Sequence, residues 1–432
     1  MRHSLIGATL LLPERFRLNR ETDGAVALNQ RKPYTGILFI IYGNMILYGF
    51  IQTMRGVIYP LVKNDFSVSY SRQGFLVFLV SFVSVSACAA AGFFLSRFGF
   101  RKSMAAGFTA VTAGMASFLF SPGSSMAGGF WITAGMIVLI HAGLGFFEIG
   151  LNGMGARTFT RNSALMMSLL HFFYGVGAVL GPLFAGFTSN GLGLNWRFIY
   201  PLGLVPVAVM ALVTFFITPK DDPPGTADSP AGKTPSVSGK QFTFWSALRD
   251  PLVWQFGLLL GFVSAGEVGS ANWSGLYLQD VYGYDPKTTG AAFLSLFYIL
   301  YTSSRLLSGF VIEKTGYFRS LSIAACIIIV LFAAGFGLGK NGVWILPFTG
   351  FFLAICYPTL LAAGIGIFRE RAQTASSAMI VISFSLGGVL QFLIGLVNRY
   401  IGEAWGYRCC LVYLIVFAIL LQRLRYKITG AG

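Results

Sequence analysis

What the chain lacks narrows its class before anything it contains. Charged residues occupy only 11% of its 432 positions, where a water-soluble domain carries about a quarter. Acids are scarcer than bases, 15 Asp and Glu against 31 Lys and Arg, for a formal net charge of +16. There are three histidines and five cysteines; Cys88, Cys326, Cys356, Cys409 and Cys410 all lie in apolar stretches without CxxC spacing. They read as small packing residues, so neither a metal site nor a disulfide framework is expected. No P-loop, Ser/His/Asp arrangement or pair of catalytic acids occurs in a suitable context, so the chain is not read as an enzyme. Without a P-loop there is no direct ATP hydrolysis, and pumping would draw on an ion gradient, taken to be protons, with no cofactor. The basic charge forms no patch interleaved with exposed aromatics, which argues against nucleic acid as a partner.

What is present is apolar: 55% hydrophobic residues, with 53 glycines and 42 phenylalanines. Small residues in such numbers suit membrane helices that approach closely. Twelve stretches are each long enough to cross a bilayer core of about 30 Å: 36–60, 75–95, 103–120, 130–156, 164–188, 198–217, 252–278, 290–312, 321–338, 343–368, 372–398 and 405–424. With the N-terminus cytoplasmic, and with Arg408 and Arg423 counted on the sides that their ends of the last span face, the Lys and Arg divide as 22 on the cytoplasmic side, 7 on the far side and 2 within spans. That bias obeys the positive-inside rule and puts both termini in the cytoplasm of an inner-membrane protein. The short apolar run Ser4 to Leu12 is followed by basic residues without a small-residue cleavage pattern, so a cytoplasmic tail, able to lie on anionic lipid, is expected rather than a signal peptide.

Between spans six and seven, a polar stretch holds Pro219, Pro223, Pro224, Pro230 and Pro235 among Gly, Ser, Asp and Lys, the composition of a flexible linker. The expected organisation is a tail at 1–34, a six-helix bundle at 35–218, a cytoplasmic linker at 219–250, a second six-helix bundle at 251–424 and a tail at 425–432. A motif repeats in both halves. Residues 92–102 read Gly-Phe-Phe-Leu-Ser-Arg-Phe-Gly-Phe-Arg-Lys, and residues 309–319 read Gly-Phe-Val-Ile-Glu-Lys-Thr-Gly-Tyr-Phe-Arg. The copies lie 217 positions apart (309 − 92), and each ends one apolar span and begins the next. A period of half the chain in a membrane protein points to a transporter built from two related halves.

The doubled motif resembles the loop between helices two and three, and eight and nine, of the major facilitator superfamily. The resemblance covers the chain from Gly36 onward. It implies an all-α polytopic fold of twelve transmembrane helices in two six-helix pseudo-repeats, working as a monomer on a small solute in the bilayer. The gate residues are then Gly92, Ser96, Arg97, Gly99 and Arg101 in one half, and Gly309, Glu313, Lys314, Gly316 and Arg319 in the other. Ser96 stands where the pattern has an acid; a serine still caps a helix but brings no charge.

Ionisable groups inside spans are costly and mark function by default. Away from the ends of the last span they are Arg55, His141, Glu148, His171, Glu267 and Arg305. Glu148 and Asn152, four apart, share a helix face that would line a cavity. Their spacing resembles the fucose permease branch of the superfamily, whose glutamate belongs to the sugar and proton site; the proline usual after the asparagine is Gly153 here. A carboxyl in low dielectric can gain and lose a proton as a cavity alternates sides, and a structural carboxylate paired with a base is the competing reading. Glu267, Asn272 and Trp273 resemble the same branch, including bacterial glucose/mannose permeases. A carboxylate and an indole suit a polyol, while Trp273 equally suits packing. Glu148 and Glu267 are thus the expected proton carriers, and Gln52, Arg55, Asn152, His171, Asn272 and Trp273 the substrate contacts.

Fucose permease has an essential aspartate near the position where this chain has Arg55-Gly56. Arg55 is open to three readings: pairing with Glu148 or Glu267, bidentate binding of an anionic solute, or snorkelling to the interface. His171 reads as a proton relay or a helix contact, His141 as structural, and Arg305 as a gate or interhelix charge partner. The run Gly177-x3-Gly181-Pro182-x3-Gly186 partly resembles drug:proton antiporters and would thin and bend span five. The leading expectation is a proton-coupled symporter of a sugar or similar polar solute. An organic-anion permease, a drug/proton antiporter and a non-transporting receptor or scaffold are the alternatives.

Overall fold

The computed structural model describes residues 23–159, 163–218 and 244–429. Most of the N-terminal tail, most of the linker and the last three residues lie outside these, as do the surroundings of Gly309 and the side chain of Glu313. The chain divides into two units, Met1–Phe39 and Ile40–Gly432; the helix bundle and the site belong to the second.

Apolar runs of this length have no water to bond their backbones inside a bilayer, so the hydrogen bonds must close within each segment as helix. Among the described residues all regular structure is helical. The long helices are α1 (Asp23–Asp65), α2 (Tyr70–Ser117), α3 (Gly129–Thr158), α4 (Ser163–Gly186), α5 (Leu204–Ile217), α6 (Pro251–Tyr282), α7 (Ala291–Thr315), α8 (Tyr317–Gly337), α9 (Thr349–Phe368), α10 (Ala372–Tyr400) and α11 (Glu403–Thr429). Eleven helical segments among the described residues are long and apolar enough to cross a membrane. Polar residues set their ends. Ser69 accepts from the Arg72 amide ahead of α2, and Asp250 accepts from the Leu252 amide where Pro251 opens α6.

α2 contains two crossings, broken at Gly99, whose backbone sits at φ 80° and ψ 175°. Gly316, 217 positions later (316 − 99), has φ 79° and ψ 155° between α7 and α8. A side chain resists that region, so both copies of the motif need glycine for the same sharp reversal. The chain is therefore an all-α multi-pass membrane protein in which α2 supplies two of the crossings, and its halves repeat down to a backbone dihedral.

α3 packs along α2, and α10 and α11 pack along α6. α4 against α7 and α2 against α10 join the first six crossings to the last six. α1 crosses α4 with backbones almost touching: a Cβ at Gly49 would lie 2.0 Å from the Tyr174 carbonyl, and one at Gly177 would lie 1.9 Å from that of Ile46. The glycine-rich run of α4 thus serves close packing, and the helix passes through Pro182 before ending in the π-turn Phe187–Gly191.

Candidate substrate and proton site

Bonds between the two halves gather at the end of the bundle where α1 and α6 terminate. Asn64 and Gln279 exchange two amide hydrogen bonds, of 2.9 and 3.1 Å. Lys63 lies 3.9 Å from the Asp280 carboxylate, with the two side chains 14% and 12% exposed. Tyr70 donates its hydroxyl to the same carboxylate, and the Lys63 ammonium lies 4.1 Å from the Tyr70 ring centre. Beside this lock α2 meets α10 at Gly74 and Gly395, and α4 meets the start of α7 at Gly186. Both copies of the loop motif lie at the opposite end of the bundle.

α1 lines the space between the halves. Tyr48, Gln52, Arg55 and Tyr59 recur at spacings of four, three and four, one face of a helix. Their neighbours Ile51, Met54, Val57 and Ile58 are at most 1% exposed, whereas Gln52 and Arg55 keep partial exposure deep in the bundle.

Glu148 projects from α3, half-buried, and accepts a 2.9 Å hydrogen bond from the Tyr48 hydroxyl, with the Cys88 thiol 3.7 Å away. Asn152 spends its amide on the Glu148 backbone carbonyl at 2.8 Å. From the other half, Glu267 on α6 accepts a 2.7 Å bond from the Tyr301 hydroxyl of α7. Arg305, one turn beyond, donates to that hydroxyl and lies 4.6 Å from the Tyr301 ring centre. Tyr301 therefore stands between cation and carboxyl. Tyr174 of α4 and Tyr357 of α9 each lie within electrostatic reach of both Glu148 and Glu267. Two carboxyls from opposite halves thus face one region, each held by a tyrosine. His171, half-buried three residues before Tyr174, is within reach of Arg305.

Arg55 is ringed by phenols, Tyr59 on its own helix with Tyr174, Tyr200 and Tyr298 from others. The ion pairs found among the described residues are Lys63–Asp280 and Arg197–Asp65, so Arg55 pairs with neither Glu148 nor Glu267. His141 is 1% exposed, and its Nδ1 bonds the Ile137 carbonyl at 2.9 Å.

Two further residues singled out in the sequence are buried in α6. Trp273 is 1% exposed and donates its indole N–H to Gln391 Oε1 at 3.0 Å, while Gln391 in turn donates to the Ala265 carbonyl at 2.9 Å. The indole is a packing piece between α6 and α10. Asn272 is 2% exposed, with neither side-chain polar atom hydrogen-bonded. In the loop motif, Ser96 is exposed and bonds back to the Phe93 carbonyl at 2.8 Å, so it serves its own helix instead of capping another. Arg101 ties the motif to the end of α5 through the Thr218 carbonyl at 2.8 Å. Arg97, Lys314 and Arg319 are exposed.

Tyr48, Tyr301, Lys63 and Asp280 were not singled out in the sequence. One signal was there for the lock: Lys63 and Asp280 are 217 positions apart (280 − 63), the spacing of the doubled motif.

Residues 41–392 match the family model of the Major Facilitator Superfamily. A Helicobacter pylori protein described as "Putative glucose/galactose transporter" is 23% identical over 365 residues, covering 80% of this chain and 84% of its own. Vacuolar basic amino acid transporter 5 of Saccharomyces cerevisiae is 26% identical over 234 residues, 49% of this chain and 37% of its own. Among solved structures, a D-xylose-proton symporter superposes with a TM-score of 0.71 at 12% identity, covering 90% of this chain and 97% of the other. The fucose:proton symporter of E. coli, in an N162A form, gives 0.59 at 17% identity over 90% and 98%.

Proposed function

The chain belongs to the Major Facilitator Superfamily, whose members are transporters and not enzymes, and from that premise we propose that it carries a sugar or similar small polar solute together with protons. The two halves rock about the shared region, opening it to each side in turn. Glu148 and Glu267 take up and release the protons, Gln52, Arg55, Asn152 and His171 contact the solute, and Arg305 sets the charge state of Glu267 through Tyr301. The inner membrane, with both termini cytoplasmic, is the setting that the basic-residue bias supports. In that orientation the locked end is external.

The observation that carries this reading is the pair of carboxyls facing one region from opposite halves, each hydrogen-bonded by a tyrosine and neither in an ion pair. A buried carboxyl with neutral partners can change protonation without abandoning a fixed cation. Names of relatives agree with the solute class: a proton symporter for D-xylose and one for fucose share the fold. The test is Glu148→Gln in proteoliposomes. Uptake driven by a proton gradient is expected to be abolished while solute exchange at equal pH persists. Accumulation by the variant at the wild-type level would remove Glu148 from the coupling path.

A further inference from the structure

We propose that the solute is a sugar acid, a polyhydroxylated carboxylate of the hexonate or hexuronate class, and that Arg55 holds its carboxylate. The inference rests on the transport reading above and narrows it to a charge class.

Arg55 is a cation in the membrane interior with no carboxylate against it. The other acids near the site are engaged elsewhere. Glu148 is held by Tyr48 and Cys88, and positions 48 and 55 are about 10 Å apart along α1 at 1.5 Å per residue. Glu267 is joined to Arg305 through Tyr301. Snorkelling is closed off as well. Between Arg55 and the end of α1 stand Tyr59, 0% exposed, and the Lys63–Asp280 pair. A guanidinium in such surroundings is costly to leave unmatched.

The phenols around it can give hydrogen bonds, and none of its neighbours is an anion. Tyr59, Tyr174, Tyr200 and Tyr298 converge on Arg55 from several helices, and His141 is within its electrostatic reach. The Tyr59 and Tyr200 hydroxyls, both on side chains 0% exposed, have no hydrogen-bond partner. A cation and phenol hydroxyls lacking a partner form a donor-rich, acid-free cluster, and its missing component is an acceptor carrying negative charge. The planar guanidinium fork fits a carboxylate with two parallel bonds. Gln52, Asn152 and the tyrosine-held carboxyls, lying on the side of Arg55 away from the lock, remain for hydroxyls. Together these features describe one molecule with an acidic end and a hydroxylated body.

The test uses the purified full-length protein. Its thermal midpoint is measured with potassium gluconate and potassium galacturonate, against glucose and galactose, and against potassium chloride and phosphate at matched ionic strength. A bound solute raises the midpoint by mass action. The expected result is stabilisation by a sugar acid at concentrations at least tenfold below those needed for either hexose. That stabilisation should be lost in Arg55→Gln and weakened at least tenfold in Arg55→Lys, which keeps the charge and loses the fork. Equal or stronger stabilisation by hexoses, by chloride or by phosphate overturns the proposal. Binding of neither class, or acid binding unchanged in both variants, overturns it too. Should Arg55→Gln fail to fold, the wild-type ranking and Arg55→Lys decide. Uptake in proteoliposomes separates this inference from its premise. Proton-driven uptake of neutral hexoses without acid binding sinks the sugar-acid assignment alone, whereas acid uptake indifferent to a proton gradient sinks the coupling alone.

Discussion

Removing the Asp280 carboxylate should open the locked end of the bundle, and the size of the effect follows from its contacts. At 3.9 Å from Lys63, the attraction is about 4 kcal/mol at an effective dielectric near 20. The side chains are 14% and 12% exposed, so after desolvation and ordering a net of about 1 kcal/mol is reasonable. The hydrogen bond from Tyr70 to the same carboxylate adds roughly 1.5 kcal/mol as a bond to a charged group. Asp280→Ala therefore costs the locked state about 2.5 kcal/mol, close to a 70-fold change in population at about 1.4 kcal/mol per tenfold. A protein locked in about 99% of molecules would come near an even mixture. Spin labels at Ser124→Cys and Asn341→Cys, both exposed positions in loops of opposite halves, report the opening by electron–electron distance measurements in a background freed of the five native cysteines. The variant should gain a longer-distance population of comparable weight, and Asp280→Asn, which still accepts from Tyr70, a smaller one. Distance distributions identical to the parent's would refute the idea that this pair holds the end shut.

Other substitutions probe separate parts of the argument. Trp273→Phe keeps an aromatic ring but strips Gln391 Oε1 of its indole donor, so stability should fall by at least the cost of an unpaired buried acceptor, about 1–3 kcal/mol, while the apparent KM for solute stays within twofold; a larger KM change would return Trp273 to the binding surface. Gly177→Leu drives a side chain into the Ile46 carbonyl of α1, so folded protein recovered after detergent extraction should drop at least tenfold, and recovery at the parental level would mean that α1 and α4 do not touch there. The Glu148→Gln exchange experiment completes the set.

The sequence carried the architecture because helices in a bilayer are set by local apolar length, and the doubled motif marks equivalent turns. Gly99 and Gly316 show how far this goes, since residues matched by spacing alone share one unusual backbone geometry. The site was partly legible for the same reason. Ionisable residues inside apolar runs are rare enough that Glu148, Glu267, Arg55 and Arg305 stand out unaided. What the sequence could not supply is azimuth and company. Trp273 lies six residues from Glu267, and whether it faced solute or α10 depended on how α6 rolls against its neighbours. Tyrosines are common in this chain, so nothing local marked Tyr48 and Tyr301 as the two that hold carboxyls; only the approach of α1 to α3, and the turn between Tyr301 and Arg305 on α7, selects them.

The Lys63–Asp280 lock joins matching positions of the two halves. Two identical subunits paired the same way would set lysine against lysine, or aspartate against aspartate, and repel at the spot where this chain clasps. No single mutation in such an ancestor could create the clasp, because any change would appear on both faces at once. Attraction across that axis requires two halves that differ in sequence, as they do within this one polypeptide. The lock is thus a product of broken symmetry, and a version with its charges exchanged, Lys63→Asp with Asp280→Lys, remains a mirror of the same solution.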